Sequence, residues 1–167
     1  VSQFSILQSI ETVYPVLSAP QRQDLIEQVL FLSGAFSDLA ILNAEGKEVL
    51  RKNRIEVIKP GDLRDLSKAD QFTVARDTGA YIGPLYIIGG KPYFTLAVVL
   101  RGAEASFFGV AVAEVDARIM QDVVTRISAV GTSGRAYIVN ERGIVVAHPD
   151  ISAVLAGVDL SSLPAVQ

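Results

Sequence analysis

The sequence predicts an α+β fold: a long N-terminal helix packed on a five-stranded antiparallel sheet, followed by a smaller, incomplete second module of the same kind. Three observations predict it. Apolar residues recur at three-to-four spacing through residues 1–36. Strand-length apolar runs then alternate with glycine-bearing turns. A unit of helix, strand, turn and strand occurs twice.

The N-terminal segment presents Ile6, Ile10, Val13 and Val16 on one helical face. Ser18-Ala19-Pro20 interrupts it, with Ser18 as N-cap and Pro20 in the first turn of the next helical stretch. Leu25, Val29, Leu30 and Leu32 carry the apolar face on towards Phe36. One kinked helix and two separate helices both satisfy this pattern. Strands are predicted at 38–43 and 47–52 around the turn Ala44-Glu45-Gly46, where Gly46 supplies the positive φ of a tight turn. Residues 57–68 are polar, carry Pro60 and Gly61, and read as loop. A short helix is predicted at 69–77. Strands follow at 81–88 and 92–101, separated by Gly89-Gly90-Lys91, and at 106–115. Residues 116–127 form an amphipathic helix, with Asp116 as N-cap and Ile119, Val123, Val124 and Ile127 inward.

The repeat lays 39–50 over 136–147. Asn43 falls on Asn140 and Gly46 on Gly143, while Ile41, Leu42 and Val49 fall on Ile138, Val139 and Val146. The residues after Pro149 lack strand signals, so the second copy is read as incomplete.

Composition narrows the function. Half the residues are hydrophobic, so a packed core is expected. The longest apolar runs, 94–100 and 107–113, are strand-sized and far short of the ~20 residues a membrane helix needs. Fifteen scattered basic residues against 18 acidic ones give a net charge of −3 and no footprint for nucleic acid. The cluster Arg51, Lys52 and Arg54 reads as a solvated strand end. With no cysteine, disulfides, thiolate metal sites and a cysteine nucleophile are excluded. The phosphate-loop, dinucleotide, zinc-protease and serine-hydrolase motifs are missing, so no catalytic residues and no cofactor are assigned. His148, with Pro149 and Asp150, is read as turn and capping chemistry, because one histidine and one carboxylate make a poor metal site. The chain opens on Val1 without a signal peptide and is read as part of a longer protein.

Three segments carry a family resemblance. They are 38–49 (DLAILNAEGKEV), 80–100 (AYIGPLYIIGGKPYFTLAVVL) and 131–150 (GTSGRAYIVNERGIVVAHPD). In this order and spacing they resemble the double Cache sensor domains of bacterial chemoreceptors, histidine kinases and nucleotide cyclases. The resemblance implies PAS-like modules in a periplasmic region between two membrane helices. It divides the chain into an N-terminal helical segment (1–36), a membrane-distal module (37–130) and a partial membrane-proximal module (131–167). It implies a small molecule bound in the distal module, coupled through the N-terminal helix to a signalling output.

Period-two alternation puts Tyr93, Thr95, Ala97 and Val99 on one strand face and Phe94, Leu96, Val98 and Leu100 on the other. One face is expected to pack on the N-terminal helix, leaving Tyr93 and Thr95 for a ligand. The resemblance adds Phe72 and Arg76 from the short helix, Tyr81 and Tyr86 from the strands, and Glu114 as an acidic strand-end residue. Tyrosines orient a small solute, Arg76 suits a carboxylate and Glu114 an amine. One family subset binds amino acids through Arg-x-Trp-Tyr with Ala three residues on. Aligning that Ala with Ala75 places Ala69, Gln71 and Phe72 at the motif positions. The carboxylate-binding arginine is missing, so a small carboxylate or other polar metabolite is expected rather than a free amino acid. The competing reading is a ligand-independent spacer that dimerises through the 6–16 stripe.

Overall fold

The computed structural model describes residues 3–130, 136–139 and 142–163. Two helices open the chain, α1 (Gln3–Gln8) and α2 (Ala19–Ser33), joined through a 3-10 turn at Tyr14–Val16. The break falls at Pro15 and the Ser18-Ala19-Pro20 signal. Ser18 donates its amide and hydroxyl to Gln21 Oε1, closing the first turn of α2. Arg22 donates to the carbonyls of Tyr14 and Pro15 and stacks over the Tyr14 ring, tying the turn to α2. Because α1 ends at Gln8, the predicted 6–16 stripe does not persist: Ile10 is buried, whereas Val13 and Val16 are exposed.

The strands are β1 (Phe36–Leu42), β2 (Glu48–Asn53), β3 (Ala80–Ile82), β4 (Tyr86–Ile88), β5 (Lys91–Arg101) and β6 (Phe107–Asp116), with α3 (Asp70–Thr78) between β2 and β3. The predicted strand 81–88 is split into β3 and β4. Gly83 makes the last ladder bond, to the Thr95 carbonyl, and Pro84 has no N–H to continue it. The sheet therefore has six strands, in the order β2-β1-β6-β5-β3 with β4 pairing to β5.

Two compact units divide the chain. The first comprises Val1–Gly83 and Phe94–Val115; the second comprises Pro84–Tyr93 and Asp116–Gln167. The boundaries at 36/37 and 130/131 stay a proposal about modules, since compactness divides the chain elsewhere.

In the first unit, five strands form a sheet with two different faces. Leu39, Ile41, Leu96, Val98, Leu100, Ala111, Ala113 and Val115 pack with Leu7, Ile10, Ile26 and Val29 of the N-terminal helices. The strand face predicted to meet the helix is thus the one carrying Leu96, Val98 and Leu100. The opposite face packs Leu42, Ala97, Val110 and Val112 against Phe72 and Ala75 of α3. Gly109 is needed where β6 passes β1: a Cβ there would stand 2.1 Å from the Leu42 carbonyl oxygen.

The second unit contains β4 with the start of β5, then α4 (Arg118–Val130), the hairpin β7 (Ile138–Val139) and β8 (Val145–Ala147), and α5 (Ile151–Leu155). Asp116 accepts the Arg118 amide at the start of α4, and Asp150 accepts the Ser152 amide at the start of α5. Of the four residues predicted inward on α4, Val124 is buried while Ile119, Val123 and Ile127 are exposed. Among the described residues, α4 packs chiefly on the three-residue β8, too short to cover more than one turn. His148 is held by backbone bonds to the Gln121 side chain, and its Nδ1 accepts the Asp150 amide.

The repeat is structural. Ile41 pairs with Leu50 and Leu42 with Glu48; Ile138 pairs with Ala147 and Val139 with Val145, and the register shifts at the same place in each hairpin. The likeness runs further than 39–50. A segment Asp65-Leu66-Ser67 crosses the first turn, and Asp159-Leu160-Ser161 crosses the second. Lys47 bridges Asp65, and Ile144 bridges Asp159. Leu66 donates its amide to the Gly46 carbonyl, and Leu160 donates to Gly143. Each aspartate accepts the amide of its own serine, Asp65 from Ser67 at 3.0 Å and Asp159 from Ser161 at 2.8 Å. Position 140, the partner of Asn43, lies outside the described residues, as does the 131–135 part of the loop.

Those two aspartates give an acid-stability prediction. Hydrogen bonds from Ser67 and Ser161 hold both carboxyls below the ordinary value of 3.8. A depressed folded pKa stabilises the native state above the unfolded value, and the contribution is lost as pH falls through the folded value. The window therefore lies below about pH 4. An Asp65→Asn/Asp159→Asn double variant should show a shallower fall of Tm on acidification in that window than the parent. Superimposable Tm–pH curves would remove both carboxylates from the stability balance.

Candidate ligand site on the second sheet face

The face opposite the N-terminal helices is divided along its length. Under α3 it is apolar: Phe72 is 2% exposed, and its ring centroid lies 6.2 Å from that of Phe107. Beyond α3 it turns polar. Asn53 is the register partner of Asp38, and Asp38 is the partner of Glu114, so three polar side chains stand abreast on β2, β1 and β6. Arg51, partner of Ala40, lies on the same face.

This row is hydrogen-bonded throughout. Arg51 Nε donates to both Asp38 oxygens, at 3.1 and 3.0 Å, and Asn53 Nδ2 donates to Asp38 Oδ2 at 3.0 Å. The Ser37 hydroxyl donates to Glu114 Oε1 at 2.6 Å. Asp38 is 5% exposed. Burial works against the Arg51 charge, but its bond to Asp38 and the charges of Asp38, Glu48 and Glu114 outweigh it and hold its pKa above the ordinary value. Asp38, Glu48 and Glu114 thus surround Arg51, and Glu48 is also bonded by Arg64, which leaves a surplus of one negative charge among these five groups. An ammonium group meets that surplus favourably.

Tyr81 and Thr95 share this face. Tyr81 pairs with Ala97, and Gly83 leaves room for its ring: a Cβ on Gly83 would stand 3.1 Å from Tyr81 Cε1 and 3.4 Å from Thr95 Cβ. Burial, then the charge of Asp70, raises the Tyr81 pKa, so its hydroxyl stays a neutral donor at physiological pH.

The other residues singled out from sequence lie differently. Phe72 is core. Arg76 is exposed, bonded to neighbouring Asp77 at 2.7 Å, with its guanidinium 5.7 Å from the Phe72 ring centroid. Tyr86 and Tyr93 belong to the second unit, where they are cross-strand partners with stacked rings 6.3 Å apart. The structure therefore brings together Tyr81, Thr95 and Glu114 on one face. It adds Ser37, Asp38, Arg51 and Asn53, which sequence reasoning did not place there. The signal for Asp38 was present: it is an acid inside an otherwise apolar strand, in phase with Ala40 and Leu42. Arg51, read as a solvated strand end, is instead the partner of Asp38. Lys52 pairs with Glu27, and Arg54 donates to the Phe36 and Leu30 carbonyls.

An antiparallel sheet with the N-terminal helices on one face, α3 and a polar row on the other, and a second copy of its opening hairpin later in the chain define a PAS-like fold. The sequence model of the Cache domain family matches residues 1–164, and the chain belongs to that family. No curated protein matches it in sequence. Among solved structures, the ligand-binding domain of the Pseudomonas aeruginosa PAO1 amino acid chemoreceptor PctC, in complex with GABA, is similar in fold. It shows 17% identity and a TM-score of 0.70 over 95% of this chain and 70% of that one. The ligand-binding domain of the Campylobacter jejuni chemoreceptor Tlp3, with 4-methylisoleucine, gives 14% and 0.69 over 95% and 65%. That of P. aeruginosa PAO1 PctB, with L-Gln, gives 20% and 0.66 over 96% and 64%. The chain thus spans about two thirds of the length of these domains.

Proposed function

We propose that this chain is an extracytoplasmic sensing domain of a bacterial membrane receptor, and that it binds a small amine-bearing metabolite on the second face of its first unit. The observation that carries this is the row Asn53, Asp38 and Glu114, with Arg51 beside it. Buried charges are retained at a cost in desolvation, and Asp38 of this row is buried while Glu114 is only half-buried. Glu114 receives the ammonium group, Tyr81 offers a flat apolar wall with a hydroxyl, and Thr95 supplies a second hydroxyl. The amino acids bound by PctC, Tlp3 and PctB support an amine-bearing ligand. The missing Arg-x-Trp-Tyr motif argues that any carboxylate is held in some other way.

A thermal-shift screen followed by calorimetry tests this, with GABA, L-valine, L-glutamine, putrescine and succinate as probes. An amine-bearing compound should raise Tm, with about 2.7 kcal/mol of stabilisation at 100 times its Kd. Glu114→Gln, which keeps an acceptor for Ser37, should weaken it at least tenfold. Stabilisation by succinate but by no amine would reverse the assigned ligand charge. No response to any probe would favour the spacer reading. The exposed Val13 and Val16 favour that reading, and it requires a dimer in sedimentation that no small molecule affects.

A further inference from the structure

The first unit carries a groove of about 740 Å³ along the outer edge of the sheet, bordered by Arg51 and Asn53 of the polar row but not by Asp38, Glu114, Tyr81 or Thr95. Strand β2 is the edge strand and forms its floor. One wall is α2, contributing Leu30 and Phe31; the other is the loop after β2, contributing Val57, Ile58 and Leu63. The volume lies within the ~300–1,000 Å³ of small-molecule sites. Its apolar walls are open to water: Phe31 is 80% exposed and Val57 is 87% exposed. Exposed apolar side chains converging from two elements on one concavity mark a surface that gains by being covered.

The charges in the groove are not balanced. Its lining holds Arg51, Lys52, Arg54 and Lys59 against Glu27 and Glu56. Arg51 is engaged by Asp38 and Lys52 by Glu27. Arg54 is held by two neutral carbonyls, and neither Arg54 nor Lys59 has a carboxylate partner among the described residues. With Glu56 set against Arg54 and Lys59, the groove combines apolar walls with one positive charge in excess, the complement of a molecule with an apolar chain and one carboxylate.

We propose that this groove is a second ligand site, which takes a small amphipathic monocarboxylate: its chain lies along Leu30, Phe31, Val57 and Ile58, and its head meets Arg54 and Lys59. Nothing in this assignment depends on the amine site: Arg51 and Asn53 border both, but the side chains assigned here to the chain and the head line the groove alone.

The test uses decanoate, decan-1-ol and acetate as probes, titrated calorimetrically into the chain, with L-glutamine and putrescine present in a parallel arm. Decanoate should bind and raise Tm, acetate should not, and decan-1-ol should bind at least tenfold more weakly. Lys59→Gln should reduce the preference for decanoate over decan-1-ol, and Arg54→Gln should reduce it further. Val57→Glu, at a position whose exposure keeps folding intact, should weaken both. Because Arg54 also ties β2 to α2, the Lys59 and Val57 variants decide the matter if Arg54→Gln folds poorly. Equal affinity for decanoate and decan-1-ol would overturn the charged-head assignment. Decanoate binding that ignores Val57→Glu and Lys59→Gln would overturn the site. Competition by the amines would return the ligand to the polar row, and a dimer in sedimentation that Val57→Glu dissociates would give the groove to a second copy of the chain.

Discussion

Asp38→Ala is expected to lower the unfolding free energy by about 3 kcal/mol, the cost of breaking a buried ion pair from one side. The Asp38 carboxylate accepts from Arg51 and from Asn53, and the two side chains of the ion pair are 8% and 18% exposed. Truncation leaves the guanidinium largely out of water with its closest carboxylate gone. Glu114, on the same face, compensates only in part because its Oε1 already accepts from Ser37. Replacing both partners, Asp38→Leu with Arg51→Leu, should recover most of the loss, since buried pairs exchange for apolar side chains at little net cost. Urea denaturation followed by circular dichroism measures both. A loss below about 1 kcal/mol for Asp38→Ala would place the pair with ordinary surface ion pairs. Asp38→Ala should also weaken amine binding, because it lowers the negative charge beside Glu114, whereas the double variant removes one charge of each sign and should retain it.

Gly46→Ala and Gly143→Ala are expected to be damaging to a similar degree, about 2–4 kcal/mol each, because each combines backbone strain with a steric collision. Their φ angles are +81° and +77°. A Cβ on Gly46 would stand 2.5 Å from Ser67 Cα, and one on Gly143 would stand 2.6 Å from Ser161 Cα. Both obstacles are main chain, held by the amide bonds of Leu66 and Leu160 across the turns. Gly34→Ala separates the two causes. Its φ is +66° but nothing lies within 4 Å, so it should cost about 1–2 kcal/mol from conformation alone. Gly61→Ala, with neither feature, should be close to neutral. Thermal unfolding of the four variants gives the ranking. If Gly46→Ala behaves like Gly34→Ala, the crossing segment yields and does not clamp the turn.

Much of the first unit was legible in the sequence. Alternation along β5 sorted Leu96, Val98 and Leu100 from Thr95 and Ala97 correctly, because a strand's period is fixed by its backbone. Ser18, Asp116 and Asp150 were readable as helix starts because capping depends on a few adjacent residues. The site was less legible. Phe72 sits on the expected helix, yet its ring is core because α3 lies flat on Leu42 and Val110. Arg76 is one helical turn away, bonded to Asp77 with its guanidinium over the Phe72 ring. The helix break after Gln8 escaped the apolar periodicity, because a 3-10 turn and a loop continue to present residues at similar spacing.

The sequence by itself determined the strand faces, the two glycine turns, the helix caps and the family resemblance, all of which rest on residues close together in the chain. The tertiary structure decided which charges meet. Asp38 joins Arg51 and Asn53 across one hairpin, but it reaches Glu114 only because β6 returns to pair beside β1, and Ser37 and Glu114 are 77 positions apart. It also decided that the Asp-Leu-Ser segments close over their glycines. Such pairings follow from the order β2-β1-β6-β5-β3, which depends on how the whole chain buries its apolar surface and leaves no periodic mark in the local sequence.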